Sequence, residues 1–461
     1  MLRYDNFRAL PRRRPWRLFP PSVSTRFEWH EIEVKTCDVI TRTRVAGSAE
    51  VLAEIDRVKD APLRPTTADG TELPLWGVHV IENTGGEEGG LGTVVALRVH
   101  HTIGDGMSLV AVGRSVLESA TGGEVGLGGA GVGAALTASV KSAKRALSNF
   151  TVGQILRGLR DVIVLSSSGP DTPLPFGHYE APWSGGGHTD AHPSPSGGGG
   201  KGKRGAFSRR RRAVLLPGLP LSLVKKIKDA TGATVNDTIM CLVAGCIRRY
   251  SEANGGATSL QGPGFKSRAL IPVALPRNMD AEHASALCNK WAFVSMDLSV
   301  DEADPAARLE RVKATTSEVK QSPTAGLQYL MQSHVMPHLP IWGSGEGHRL
   351  PRTGTVSNVP GPQEPVKFAG VGLRSVQFVF SNIMPQVGVV SLDGTIAVNF
   401  VVDPLSVPLS ETLSDHFLAE LEALAEAAGV DCRAEIAACK VEAATLVGVM
   451  QAAAAITPTA S

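Results

Sequence analysis

Apolar positions along the chain fall into short, turn-bounded runs with two different periods. Residues 73–82 and 93–99 are rich in β-branched side chains and bounded by glycines, which predicts strands. Residues 106–117 follow with Leu109, Val112 and Val116 on one stripe, which predicts a helix. Farther along, 221–230 predicts a short helix stopped at Gly232. Residues 236–250 carry Ile239, Leu242, Val243, Cys246, Ile247 and Tyr250 at i, i+3, i+4, i+7, i+8 and i+11, one face of a long amphipathic helix. Strands are expected at 269–275, 292–298, 376–380, 388–391 and 395–402, then a helix over 410–428 and an Ala-rich helix near the C-terminus. Both halves mix strands and helices, so the fold class is α/β or α+β, and no short-period repeat is visible.

Between the halves the pattern lapses. Residues 166–205 are rich in Ser, Gly, Pro and His and cannot bury enough apolar surface to offset their ordering entropy. This predicts a first half over 1–165, a linker over 166–212 and a second half over 213–461, consistent with a 461-residue chain that is long for one core. The linker ends in a basic tract: Lys201, Lys203, Arg204 and Arg209 to Arg212. A solvated linker end, a site for anionic lipid headgroups, and nuclear import or nucleic-acid binding are all compatible with it.

Net charge is +2, from 46 basic and 44 acidic residues, so no global basic field of the nucleic-acid-binding kind exists. Six cysteines without a C-x-x-C pair argue against a disulfide framework or a cysteine zinc site and suit a reducing compartment. No apolar run follows the first residues, so no secretory signal is expected. Residues 387–402 are interrupted by Asp393, Gly394 and Asn399, and 445–456 is short and Ala-rich, so no spanning helix is expected.

Chemistry concentrates in His100-His101-Thr102-Ile103-Gly104-Asp105-Gly106, where a strand ends and a helix begins. One reading is a structural histidine followed by an Asp-Gly turn that caps the helix. The other is general-base catalysis, because a neutral imidazole can accept a proton near cellular pH. Strand alternation would put His100 and His101 on opposite faces. Asp105 could return beside the rings, either to orient one or to brace the turn. Gly106 would let backbone approach closely or take a conformation that a Cβ forbids. There is no G-x-S-x-G elbow, H-E-x-x-H, G-x-x-x-x-G-K-[ST] or strand-linked G-x-G-x-x-G, and no metal site is expected. His100 and Asp105 also fit the H-x-x-x-x-D of glycerol-phosphate acyltransferases, but that family's Pro-Glu-Gly block is missing.

The H-H-x-x-x-D-G stretch resembles the coenzyme A-dependent acyltransferase superfamily, which includes peptide-synthetase condensation domains. Further blocks resemble the wax ester synthase/diacylglycerol acyltransferase family. These are Pro74-Leu75-Trp76, Asn236-Asp237 opening the long helix, Ile271 to Leu275 with Arg277, and Leu287-Cys288-Asn289, where Cys288 replaces a usual glycine. Ser357-Asn358-Val359-Pro360-Gly361-Pro362 follows, then Ser391 to Gly394 and Val402-Asp403-Pro404. The family's upstream strand and helix would precede Phe7-Arg8, and their lack here predicts an exposed sheet edge.

The resemblance implies two chloramphenicol-acetyltransferase-like halves with mixed sheets flanked by helices and an active-site tunnel between them. It implies transfer of a fatty acyl group from acyl-CoA, a co-substrate, to a fatty alcohol or diacylglycerol, with no cofactor. His101 would be the general base, His100 and Asp105 its motif partners, and Asp105 would brace the turn, with Arg277 as a partner. Asn289 and Asn358 are candidate donors to the oxyanion, while Gly106, Pro74, Leu75, Trp76, Asn236, Asp237, Ser357, Pro360 and Gly361 are motif or architectural positions. The implied setting is cytoplasmic, peripheral to the endoplasmic reticulum or another membrane or lipid droplet surface, through residues 12–16 or the 201–212 tract. Alternatives are a catalytically impaired acyl-CoA- and lipid-binding relative and a condensation-type enzyme with another acceptor.

Overall fold

The computed structural model describes residues 5–13, 27–63, 66–67, 70–85, 90–122, 125, 151, 153, 155–156, 158, 160, 171–176, 211–275, 287–335, 353–380 and 384–456. A 3₁₀ turn, Asp5–Arg8, leads into β1 (Ala9–Arg13), which pairs antiparallel with β2 (Phe27–Glu31). After α1 (Thr36–Val39), β3 (Ile40–Val45) lies parallel to β4 (Trp76–Asn83), and β5 (Val94–Val99) lies antiparallel on the other side of β4. Helix α2 (Ser48–Asp60) packs across this three-stranded sheet and buries Val51, Leu52 and Val58. Ile40, Val95 and Leu97 remain exposed. Helix α3 (Gly106–Val116) runs directly into β6 (Leu117–Ser119).

The second half begins with β7 (Arg212–Leu215), β8 (Leu219–Pro220) and α4 (Leu221–Thr231), which ends at Gly232 in the left-handed region (φ 63°). Next come α5 (Val235–Ala253), α6 (Ala257–Leu260), β9 (Arg268–Ala274) and β10 (Trp291–Asp297). Helices α7 (Pro305–Gln321) and α8 (Thr324–Leu330) precede β11 (Gly354–Val359), β12 (Val366–Phe368), β13 (Val371–Gly372), β14 (Gln386–Leu392) and β15 (Thr395–Val402). Helices α9 (Leu413–Ala427) and α10 (Arg433–Ile456) follow. The main sheet has the order β10-β9-β11-β14-β15-β7, with β8 also on β15. Strand β11 is parallel to both neighbours and the remaining pairs are antiparallel, so the sheet is mixed and the class is α/β as expected. Its core is built on α5, whose predicted face (Ile239, Leu242, Val243, Cys246, Ile247, Tyr250) is buried throughout.

The halves interlock. Strand β6 from the first half pairs antiparallel with β12 from the second, and α10 packs against α2. Lys59 of α2 donates to the Arg211 carbonyl, and Asp56 accepts from the Ala213 N–H at 3.3 Å.

Three expectations need correction. Within the segment read as a linker, residues 171–176 are structural. Leu174 and Phe176 enter the second core, with Phe176 edge-on to Tyr250 and Phe400 at 6.1 Å each, while Asp171 pairs with Arg268 at 2.6 Å. Two apolar residues suffice to dock a short segment even where Gly, Ser and Pro dominate around it. The end of the basic tract is also structural: Arg211 is buried beside Asp403 at 3.5 Å and Arg212 faces Glu411 at 3.4 Å, while 201–210 lie outside the described residues. Finally, the C-terminal helix begins at Arg433 and is 24 residues long, enough by length and composition to cross a bilayer. Its stripe Ile436, Cys439, Ala443 and Met450 is buried, and the helix packs on α2 and α9.

Candidate active site

Strand β5 ends at Val99, so both histidines lie beyond it, in a turn, and strand alternation does not separate them. The His100 N–H donates to the Leu75 carbonyl at 2.8 Å and the Ile103 N–H donates back to the His100 carbonyl at 3.0 Å, which closes the turn. Beneath it lies a small core of Phe7, Leu10, Leu75, Trp76, Ile103, Val112 and Leu287. The Pro74-Leu75-Trp76 block is buried there, with Trp76 Nε1 donating to the Phe7 carbonyl at 2.9 Å.

Asp105 is the N-cap of α3 and only 4% exposed. Its Oδ1 accepts from the Ser108 N–H at 3.0 Å and its Oδ2 from the Lys290 N–H at 2.8 Å. The carboxylate thus ties the motif to the second half. Arg277 lies outside the described residues. Ser108 Oγ donates to the Cys288 carbonyl at 2.9 Å, and Asn289 Nδ2 donates to the His101 carbonyl at 2.8 Å and, more distantly, to that of Thr102 at 3.5 Å. Asn289, a candidate oxyanion donor by sequence, is therefore engaged with the motif backbone. Residues 287–290 act as a brace across the turn.

The glycine expectation also shifts. A Cβ on Gly106 would meet only Val359 Cγ2 at 3.7 Å, ordinary contact, and its φ is not positive. A Cβ on Gly104 would lie 2.7 Å from Ser108 Cβ, so close packing constrains the earlier glycine.

His101 is exposed, and neither ring nitrogen is hydrogen-bonded among the described residues. Its ring meets two aromatic rings of the second half edge-on, Trp291 at 6.0 Å and Phe380 at 5.6 Å between centroids. Phe293 stacks its edge on Trp291 at 4.7 Å. His100 Nδ1 instead hydrogen-bonds Thr102 Oγ1 at 2.8 Å, and burial, then the neighbouring His101, pushes its pKa down. Phe380 ends a segment expected as a strand over 376–380. It forms no ladder, because buried Asn399 reaches out of β15 and donates from Nδ2 to Gln377 Oε1 at 2.8 Å and to the Phe378 carbonyl at 3.1 Å.

The Ser357–Pro362 block adjoins α3, and the Asn236 block meets it at Asn358. Strand β11 carries Ser357 and Asn358, and its last residue, Val359, abuts Gly106. Asn358 Nδ2 approaches Asn236 Oδ1 at 3.4 Å and is exposed. Asp237 is the third residue of α5, not its cap. It forms a capping box with Thr234, whose N–H and Oγ1 both donate to Asp237 Oδ2, at 3.0 and 2.7 Å. After Pro360, Gly361 is buried where a Cβ would sit 1.9 Å from the Ser391 carbonyl oxygen, an approach only glycine permits. The residues that sequence reasoning did not single out are Asn6, Ser108, Trp291 and Phe380. Only Ser108, three residues after an Asp at a helix start, leaves a local signal.

Residues 287–425 match the family description WS/DGAT C-terminal domain. The matched segment lies in the second half of the chain. It spans the brace at 287–290, Trp291, the Ser357–Pro362 block and Phe380, so the matched segment supplies the wall against which the histidine motif rests. A relative from Mycobacterium tuberculosis, an inferred diacylglycerol O-acyltransferase, is 27% identical over 222 residues, covering 46% of this chain and 47% of the relative. A second from that organism, of the same inferred activity, is 26% identical over 381 residues, covering 77% and 68%. The chain thus spans about half the length of the first of these relatives. Among solved structures, the wax ester synthase/diacylglycerol acyltransferase from Marinobacter aquaeolei VT8 superposes with a TM-score of 0.56 at 17% identity, over 92% of this chain and 86% of that one, and so shares the fold. The match at 287–425 and the relatives named here are similar to the family that the motif blocks resemble.

Proposed function

We propose that this chain is an acyl-CoA-dependent O-acyltransferase that esterifies a lipid hydroxyl, with His101 as general base. The observation that carries the reading is the exposed imidazole of His101, free of hydrogen bonds among the described residues and walled by Trp291 and Phe380. An alcohol is about as weak an acid as water, so its proton must leave as the oxygen attacks. His101 takes that proton while the C–O bond to the thioester carbonyl forms. The C–S bond then breaks, and the CoA sulfur leaves with the proton returned by the imidazolium. General-base assistance contributes about 10²–10⁴-fold, and positioning and donors toward the oxyanion supply the remainder. Asn358, exposed and only loosely engaged with Asn236, is the less engaged of the two candidate donors; Asn289 is bonded to the turn backbone. Asp105 positions the turn.

The aromatic rings beside His101 suit a long-chain alcohol or a diacylglycerol as acceptor. Such acceptors reside in membranes or lipid droplets, so the protein would meet them by peripheral contact. Incubation of the purified protein with labelled long-chain acyl-CoA and either hexadecanol or a diacylglycerol tests the reading. The expected result is labelled ester formed in step with free CoA. Acyl-CoA binding with no ester from any hydroxyl acceptor would contradict it and favour a non-catalytic lipid-binding relative.

A further inference from the structure

The brace across the histidine turn has a component from outside both motif blocks. Asn6 sits in the 3₁₀ turn Asp5–Arg8, and its Nδ2 donates to the Ile103 carbonyl and to the Leu287 carbonyl, both at 2.9 Å. The two hydrogens of one amide thus hold the last residue of the histidine turn and the first residue of the 287–290 brace. Asn6 is itself fixed. The next residue, Phe7, is fully buried, lies edge-on to Trp76 at 5.3 Å, and accepts the Trp76 Nε1 hydrogen at 2.9 Å. Arg8 then pairs with Asp5 and Glu31 at 3.0 Å each. Ile103 and Leu287 are buried, so water cannot readily replace the amide at these carbonyls.

We infer that Asn6 is a positioning residue for the reaction: it sets the separation between the His101 turn and the second half, and so places the imidazole against the reacting carbonyl. The inference rests on His101 being the general base. Asn6 contacts the turn at Ile103 while Asn289 contacts it at His101, so the carbonyl of His101 itself and that of Ile103, two residues on, are both held from outside the turn. Loss of one restraint lets the ring shift without opening the site. Catalytic rates are steep in such shifts, about 10²-fold for a displacement of the order of 1 Å.

The test compares Asn6→Ala, Asn6→Ser and Asn6→Asp with the wild type in the ester-forming assay, below the melting temperature of each protein. Asn6→Ala is expected to lower kcat about 10- to 100-fold while the KM for acyl-CoA moves less than about twofold. Asn6→Ser, which keeps one donor, is expected to fall between. In Asn6→Asp an ionised carboxylate would face two carbonyl oxygens and donate nothing, but its protonated form regains one O–H donor. The ratio of its kcat to that of the wild type is therefore expected to rise as pH falls, a trend that packing alone would not give. Wild-type kcat in folded Asn6→Ala, or in Asn6→Ser if the alanine variant does not fold, would overturn the inference. If that result comes with an inactive His101→Ala, only the role of Asn6 fails; if His101→Ala is active, the underlying reading fails.

Discussion

At residue scale, the histidine motif divides into an exposed stretch, His100 to Thr102, and a buried one, Ile103 to Asp105. His101 is open, whereas Asp105, Gly104 and Ile103 are buried and hold the turn. The two glycines make this division measurable. Alanine at 104 must displace Ser108, whose hydroxyl bridges to the Cys288 carbonyl, so Gly104→Ala is expected to cost about 1–3 kcal/mol and to lower the melting temperature. Alanine at 106 enters the first turn of α3 with ordinary contact, so Gly106→Ala is expected to leave the melting temperature unchanged or higher. Thermal denaturation of the two variants checks the order, and the reverse order would contradict the packing described. The motif was legible in the sequence because its members are adjacent. Asn6 was not, since its bond to Leu287 spans 281 positions and no local pattern encodes it. Trp291 and Phe380 likewise reach the imidazole from far along the chain, and no local pattern marks them.

At element scale, legibility followed periodicity. Helix α5 was read almost to its ends because one face is uniformly apolar and buried. Helix α7 escaped because its buried face includes Arg308, which pairs with Glu420 inside the core, so the apolar stripe is broken by a charge. Strand β15 matched its expected range, whereas 376–380 has strand-like composition but is tethered by the Asn399 side chain instead of a ladder. Helix α2 was also missed, although it docks on β7 through Asp56. Burial raises the Asp56 carboxyl to about 6, against the opposing pull of Lys59. A carboxyl raised on folding binds protons more tightly in the native state, so this group favours folding below its unfolded value near 3.8. That contribution is lost as pH rises through about 6. Asp56→Asn keeps an oxygen for the Ala213 N–H and removes the charge, so it is expected to stabilise the protein at pH 8 by the order of 1–3 kcal/mol. The gain should shrink toward pH 4. Denaturation of both proteins across that range checks it, and a pH-independent difference would contradict the assignment.

At the scale of the whole molecule, the site exists because the two halves are not independent. Helix α3 starts at the motif and ends in β6, which joins a sheet with β12; α10 returns to cover α2; residues 287–290 brace the turn from the other side. The pairing of β6 with β12 was not legible in the sequence, because three residues on each strand are too few to leave a pattern. The exposed imidazole of His101 lies at this junction, beside Trp291 and Phe380 of the second half. The most direct measurement is the rate of ester formation by His101→Ala at saturating acyl-CoA and acceptor, with its melting temperature and acyl-CoA affinity recorded alongside. The expected result is a fall of at least about 10²-fold with the melting temperature and affinity little changed, because the ring is exposed and makes no hydrogen bond among the described residues. A folded His101→Ala protein that forms ester at the wild-type rate would contradict the account.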